Sequence, residues 1–242
     1  MNAIKTTGLT KKYKDVVAVD SLNLEIEEGE LFSLLGINGA GKTTTIKMLS
    51  CLTLPTSGDA YVFGKSITKD RAEIKSIIAV SPQETSVAPG LSVRENLELI
   101  CGIYGFTKEK CDSKICELAI LLGLDTVISR KAGKLSGGWQ RRLSIAMALI
   151  SEPKILFLDE PTLGLDVIAR SELWDIIKAL KGKVTIILTT HYMEEAEALS
   201  DRVAIMKNGK LLISESVQGI KSYAESSNFE EAFVKIVKGE VK

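Results

Sequence analysis

Gly36-Ile-Asn-Gly-Ala-Gly-Lys42-Thr43 fits the spacing G-x-x-x-x-G-K-[ST] at every fixed position, which is rarely met by accident in a chain of 242 residues. The chemistry this spacing allows is anion capture. Glycines let the backbone curl so that successive amides converge on phosphate oxygens, and the N-terminus of a following helix adds its dipole. Lys42 then reaches the outer phosphates of a triphosphate, and the Thr43 hydroxyl is a ligand for Mg²⁺. A second group, Ile155-Leu-Phe-Leu-Asp159-Glu160, delivers two carboxylates at the end of an apolar run. Asp159 is placed to hold the Mg²⁺ shell. Glu160 points elsewhere and is placed to polarise an attacking water. Alone, such a pair is as readily the polar end of a strand; beside the phosphate loop it reads as catalytic. A third group, Leu135-Ser-Gly-Gly-Trp-Gln140, precedes an amphipathic run reaching about Ile150. Ser136 is a natural N-cap, and Gly137 and Gly138 expose amides suited to a second anion. Alone, such a triplet is usually only a cap.

These groups need elements to aim them. A short apolar run over 30–35 leads into the glycine loop, and helical spacing follows from Lys42 to about Cys51, giving strand, loop, helix. Lys154–Asp159 and Val184–Leu188 read as buried parallel strands. Helices are predicted over about 167–181 and 193–199, then short strands at Arg202–Met206 and Lys210–Ile213. The first thirty residues alternate apolar and polar (Val17, Val19, Leu22, Leu24, Ile26), which predicts twisted antiparallel strands. Leu97, Ile100, Ile103 and Tyr104, then Ile115, Leu118, Ala119 and Leu122, follow helical spacing and predict an all-helical insert over 91–150. Phe229, Ala232, Phe233, Ile236 and Val237 form a helical stripe that reads as packing against the domain. Strands alternating with helices give an α/β core. The organisation expected is one domain over 1–242: segments 1–90 and 151–213 form a β subdomain plus the α/β core, 91–150 the helical subdomain, and 214–242 a helical tail.

Composition removes several classes. Lys plus Arg number 31 and Asp plus Glu 31, so the global balance lacks the basic surplus of a sequence-independent nucleic-acid binder. No run approaches the length of apolar sequence that spans a bilayer, and the first residues lack the apolar stretch of a signal peptide. Cys51, Cys101, Cys111 and Cys116 form no C-x-x-C pair and read as reduced thiols.

Taken in order, these motifs resemble those of an ABC-family ATPase, the nucleotide-binding subunit of an ATP-driven transporter, over nearly the whole chain. The resemblance implies a P-loop NTPase (RecA-like) core with an N-terminal antiparallel β subdomain and an inserted α-helical subdomain. Gly36–Thr44 is similar to the Walker A loop, which implies that Gly36, Asn38, Gly39, Ala40, Gly41, Lys42, Thr43 and Thr44 surround the phosphates of ATP. Ser81-Pro-Gln83 resembles the Q-loop, Leu135–Arg142 the ABC signature, Leu156–Thr162 Walker B, Gly164-Leu-Asp166 the D-loop and Thr190-His191 the switch histidine. Gln83 would contact Mg²⁺ or the lytic water, and His191 would hold the γ-phosphate beside Glu160. Tyr13, between Lys12 and Lys14, stands where the family stacks an aromatic on adenine. Two departures occur. Trp139 replaces the usual Gln of the signature, and Ile37 replaces a common Pro. Neither removes a phosphate contact.

The resemblance also implies partners. Two such subunits pair head to tail, so Ser136, Gly137 and Gly138 of one copy close on ATP held by the other, with Asp166 nearby. The segments Thr190–Glu197 and Leu199–Met206 resemble the branch that serves bacterial drug, sodium and polysaccharide exporters, whose polytopic permease is a separate chain. The protein would then be cytoplasmic and held on the inner face of the membrane by that permease, with docking candidates Glu84, Val87 and Leu91. Rival readings are a soluble ABC ATPase of translation or repair, a non-transport regulatory ABC protein, and a different P-loop kinase or GTPase. No Asn/Thr-Lys-x-Asp element reads guanine, and a kinase has no need of Leu-Ser-Gly-Gly. No nucleic acid is expected.

Overall fold

The computed structural model describes residues 1–241. The chain opens with β1 (Asn2–Tyr13), β2 (Val16–Leu22), β3 (Glu25–Glu27) and β4 (Leu31–Leu35), then α1 (Lys42–Leu49), β5 (Ser57–Val62), β6 (Lys65–Ser66), α2 (Arg71–Lys75) and β7 (Ile78–Ser81). Three helices follow, α3 (Val93–Ile103), α4 (Lys108–Leu121) and α5 (Gly137–Leu149). After them come β8 (Ile155–Asp159), α6 (Val167–Leu180), β9 (Thr185–Thr190), α7 (Met193–Leu199), β10 (Arg202–Lys207), β11 (Lys210–Glu215), α8 (Val217–Tyr223) and α9 (Phe229–Lys238).

Two sheets result. The antiparallel one runs β2-β1-β5-β6 with β3 also on β1, and the other runs β11-β10-β4-β9-β8-β7. In the second, every neighbouring pair is parallel except β10 with β11. The α/β class and the antiparallel N-terminal strands are as expected. The stretch between α1 and α3 holds β5, β6, α2 and β7, none of which the periodicity announces.

Strands β4, β8 and β9 are buried at every residue, as near-continuous apolar runs covered on both faces must be. Their side chains alternate between two cores. Ile155 and Phe157 of β8, Ile187 of β9, and Phe32 and Leu34 of β4 join Ile46, Met48 and Leu49 of α1 and the antiparallel sheet. Leu156, Leu158, Ile186 and Leu188 face the other way, onto the helices α3 to α6. A third cluster packs Phe229, Ala232, Phe233 and Ile236 of α9 on Val203, Ile205 and Leu35, so the tail's stripe lies against the parallel sheet.

Parallel strands deliver their C-terminal ends to one edge, where ligands of open α/β sheets bind. Here that edge receives Gly36 after β4, Gln83 after β7, Glu160 after β8 and His191 after β9. The register places Leu35 beside Thr190, Asp159 beside Thr189 and Ser81 beside Leu158. Phe157 is fully buried midway along β8. Phe157→Ala is expected to cost about 3–5 kcal/mol in denaturant unfolding, as large-to-small core changes do; a midpoint matching wild type would show that the two cores do not depend on it.

Candidate active site

The loop between β4 and α1 is shaped by two glycines. A Cβ on Gly36 would lie 2.4 Å from the Met206 carbonyl oxygen, and one on Gly41 2.5 Å from that of Ala18. Gly41 also has φ +103, a conformation that favours glycine. Among the described residues, the amides of Gly39, Gly41, Lys42, Thr43 and Thr44 donate to no other protein group. They form a nest of donors at the start of α1, suited to phosphate oxygens. The Lys42 ammonium is buried. It donates to the carbonyls of Gly36 at 2.6 Å and Ile37 at 3.3 Å, and stands 3.4 Å from Glu160 Oε1.

The carboxylates take distinct surroundings. Asp159 Oδ1 accepts from Thr43 Oγ1 at 3.1 Å and from Thr189 Oγ1 at 2.5 Å. That brings a hydroxyl and a carboxylate together as oxygen ligands fitting a hard cation such as Mg²⁺. Glu160 has φ +50, a left-handed conformation rare outside glycine. Its amide is held there by the Thr189 carbonyl and hydroxyl. The Glu160 side chain is buried, with Oε2 at 2.5 Å from His191 Nδ1. The His191 ring packs on Tyr192 at 4.1 Å between centroids, and the Arg170 guanidinium covers Tyr192 from beyond.

Over these groups opens a cavity of about 660 Å³. Asn38 to Thr44, Gln83, Glu160 and His191 line it, and Gly36 and Asp159 lie behind that lining. The chain also contributes Val16, Val17 and Ala18 of β2, Leu163 and Asn208, which sequence reasoning missed. Their only signals are an exposed Val-Val pair at a strand start and an Asn-Gly turn, both ordinary for a hairpin. Tyr13 does not line the cavity. It is 46% exposed, pairs with Val16 across the β1–β2 hairpin, and has Lys11 Nζ 5.0 Å from its ring centre.

The family model for ABC transporters matches residues 19–163. This chain belongs to the ABC transporter family. It is 42% identical over 212 residues to the phospholipid-transporting ATPase ABCA3 of Homo sapiens, covering 86% of this chain and 12% of that protein. It is 40% identical over 221 residues to the daunorubicin/doxorubicin resistance ATP-binding protein DrrA of Streptomyces peucetius, covering 91% of this chain and 67% of that protein. The chain thus spans only part of the length of each. A dimeric ATP-binding cassette, solved in a post-hydrolysis state with ADP and phosphate bound, matches with a TM-score of 0.79 at 29% identity, over 88% of this chain and 98% of that one. The fold is the P-loop NTPase fold of ABC ATPase cassettes.

The remaining ABC motifs lie outside the cavity lining. Ser136 holds the N-cap position of α5, but its hydroxyl makes no capping bond, contrary to the expected cap. Gly138 lets α5 approach α6: a Cβ there would meet Ala169 Cβ at 3.1 Å. The Trp139 ring packs against the helical core and takes the Arg142 guanidinium over its face at 4.7 Å. Asp166 caps α6, accepting from the Ala169 amide at 2.9 Å. A second, mainly apolar cavity of about 560 Å³ lies between β7, α3 and α5, with Leu52, Ile78, Ile100, Ile103, Tyr104 and Met147 in its wall. Pro82 and Ser86 also line it, whereas Glu84, Val87 and Leu91 do not.

Glu195, one helical turn beyond His191, went unremarked in the sequence. It is fully buried and accepts from Trp174 Nε1 at 3.1 Å, while its second oxygen has no hydrogen-bond partner among the described residues. Burial pushes its carboxyl above the usual range, against the pull of its hydrogen bonds, and the Glu160 charge adds to the rise. A raised folded-state pKa gives stability that is whole below the unfolded value of about 4.3 and is lost as pH rises through the folded value. Glu195→Gln keeps the acceptor for Trp174 and removes the titration. Urea unfolding is therefore expected to favour the variant increasingly as pH rises above the unfolded value; parallel stability profiles would contradict the assignment.

Proposed function

We propose that this chain is the ATP-hydrolysing subunit of an ABC transporter, which powers export through a separate membrane permease by ATP-driven closure of a head-to-tail dimer. The observation that carries the reading is an incomplete site. One cavity gathers the free amides, Lys42 and the Glu160–His191 pair, while the uncapped Ser136 hydroxyl and the Gly138 turn lie outside it. A second copy, reversed, supplies Ser136 and Gly138 to the nucleotide held by the first. Val167 and Ile168, beside Asp166, are 78% and 72% exposed, an apolar surface suited to that contact. The related cassette bound to ADP and phosphate is dimeric, which supports pairing of two copies.

The roles then divide by chemistry. The amides of 39–44 and Lys42 bind the phosphates. Thr43 and Asp159, with Gln83, would hold Mg²⁺, which neutralises charge on the β- and γ-phosphates when bound. Glu160 orients and polarises the attacking water, and His191 keeps Glu160 in place and faces the γ-phosphate. A relative named for Nod factor export supports export. No helix among the described residues is long and apolar enough to cross a membrane. In this reading the path for cargo belongs to the permease. The apolar groove beside Ile103 and Tyr104 suits a short amphipathic helix of that permease, which would hold this subunit on the inner face of the membrane.

Co-purification from gently solubilised native membranes tests the partner: a stoichiometric polytopic chain supports the proposal, and recovery with ribosomes or nucleic acid removes it. Glu160→Gln is expected to bind ATP and accumulate as a dimer by light scattering; a variant that stays monomeric in ATP would sink the sandwich. Ser136→Arg is expected to retain nucleotide binding and lose turnover, and unimpaired turnover would reduce the motif to a helix start.

A further inference from the structure

Arg141 is a buried cation, 5% exposed, with no carboxylate in ion-pair contact among the described residues. Its guanidinium donates instead to two consecutive main-chain carbonyls. Nη1 reaches Pro82 O at 2.6 Å and Nη2 reaches Gln83 O at 2.5 Å. Burial lowers the guanidinium's pKa, and the charges of Asp159 and Glu195 oppose that. A buried guanidinium is costly unless its donors are satisfied, and its rigid planar fork aims Nη1 and Nη2 at two neighbouring carbonyls in fixed directions, which an ammonium on a flexible stem does not.

The carbonyls it holds belong to a loop that has little else. Among the described residues, these two bonds are the only hydrogen bonds made by residues 82–87. One turn further along α5, the hydroxyls of Ser144 and Ser81 lie 2.9 Å apart and tie the helix to the end of β7, where the loop begins. The loop borders both cavities: Gln83 lines the nucleotide site, and Pro82 and Ser86 line the apolar groove together with Ser144 and Met147 of α5.

We propose that Arg141 is the positioning residue for Gln83: it fastens the Gln83 loop to α5, so that a displacement of α5 is carried to the Gln83 side chain in the nucleotide cavity. This rests on the ATPase reading above for its catalytic consequence and on the two carbonyl bonds for its structural one. Gln83 is the group that meets the ligand, and Arg141 acts through it. A guanidinium that only filled space would affect folding, without a specific link to Gln83.

Arg141→Lys keeps the charge and removes the fork. It is expected to lower kcat for ATP hydrolysis on the order of tenfold to a hundredfold, as a displaced catalytic contact does, with KM unchanged. In a Gln83→Ala background the same change is expected to cost nothing further, because the interaction it supports is already gone. A readout that needs no ATP accompanies this. Glu84 is exposed in the loop, and cleavage after it by a Glu-specific protease is expected to run several-fold faster in Arg141→Lys than in wild type at equal global stability. Full additivity with Gln83→Ala, or wild-type turnover together with wild-type cleavage, overturns the proposal. A wild-type chain that hydrolyses no ATP removes the functional reading instead, and the cleavage rate alone then decides on the clamp. If Arg141→Lys does not fold, Arg141→Gln, uncharged and with one donor group, is read in the same way.

Discussion

The parallel ladders of β4 with β9 and of β9 with β8 set Leu35 beside Thr190 and Asp159 beside Thr189. From that register the rest follows. Thr43 and Asp159, 116 residues apart, meet within a hydrogen bond, and Glu160 comes to face both Lys42 and His191. A slip of one residue would turn each strand's core-facing set to the opposite face, so packing and site geometry share one constraint. Ile155 and Phe157 point into one core and Leu156 and Leu158 into the other, which leaves β8 a single way to sit and Asp159 a single place to emerge.

The site concentrates charge where water is scarce. An ammonium and a carboxylate taken from water are costly unless paired and hydrogen-bonded. Lys42 meets this with two carbonyls of its own loop and with Glu160. In the proposed function a polyphosphate would bring anionic oxygens to five unpaired amides and draw Lys42 from those partners, leaving Glu160 held by His191. Binding and the release of Glu160 for chemistry would then be one exchange of partners. The left-handed backbone at Glu160, held by Thr189 on the neighbouring strand, fixes the direction in which that carboxylate is aimed.

The legible part of this molecule was the part whose chemistry is written in consecutive residues. The glycine loop, Asp159–Glu160 and the apolar runs of β4, β8 and β9 declare themselves because fixed local spacing and full burial leave few alternatives. Elements between α1 and α3 were not legible: β6 has two residues, α2 five, and β5 is half exposed with a glycine inside it, so none repeats an apolar pattern often enough to announce itself. Val16, Val17, Ala18 and Asn208 reach the cavity only because the hairpin of β10 and β11 docks on the glycine loop, with Gly209 donating to Ala40 O and accepting from the Asp20 amide. No local signal encodes such docking. Glu195 and Arg141 were hidden for a related reason. Charged residues on amphipathic helices read as solvent-facing, and only the packed structure shows both turned inward.

Arg141 of α5 and Glu195 of α7 are both buried close enough to the carboxylates at the end of β8 to feel their charge, Arg141 that of Asp159 and Glu195 that of Glu160. They satisfy themselves through neighbours and not through each other: Arg141 through the carbonyls of Pro82 and Gln83, Glu195 through Trp174 of α6. Each joins one helix to one segment at the rim of the nucleotide cavity. α5 carries Ser136 at its start and α6 carries Asp166 at its start, so both helices that begin at the proposed dimer surface are tied by buried polar groups to the cavity behind them. Hydrogen-bonded ties of this kind transmit displacement, since breaking one leaves a buried charged or polar group without its partner. The loop of Gln83, whose hydrogen bonds among the described residues go to Arg141 alone, is the segment that we propose such a tie moves.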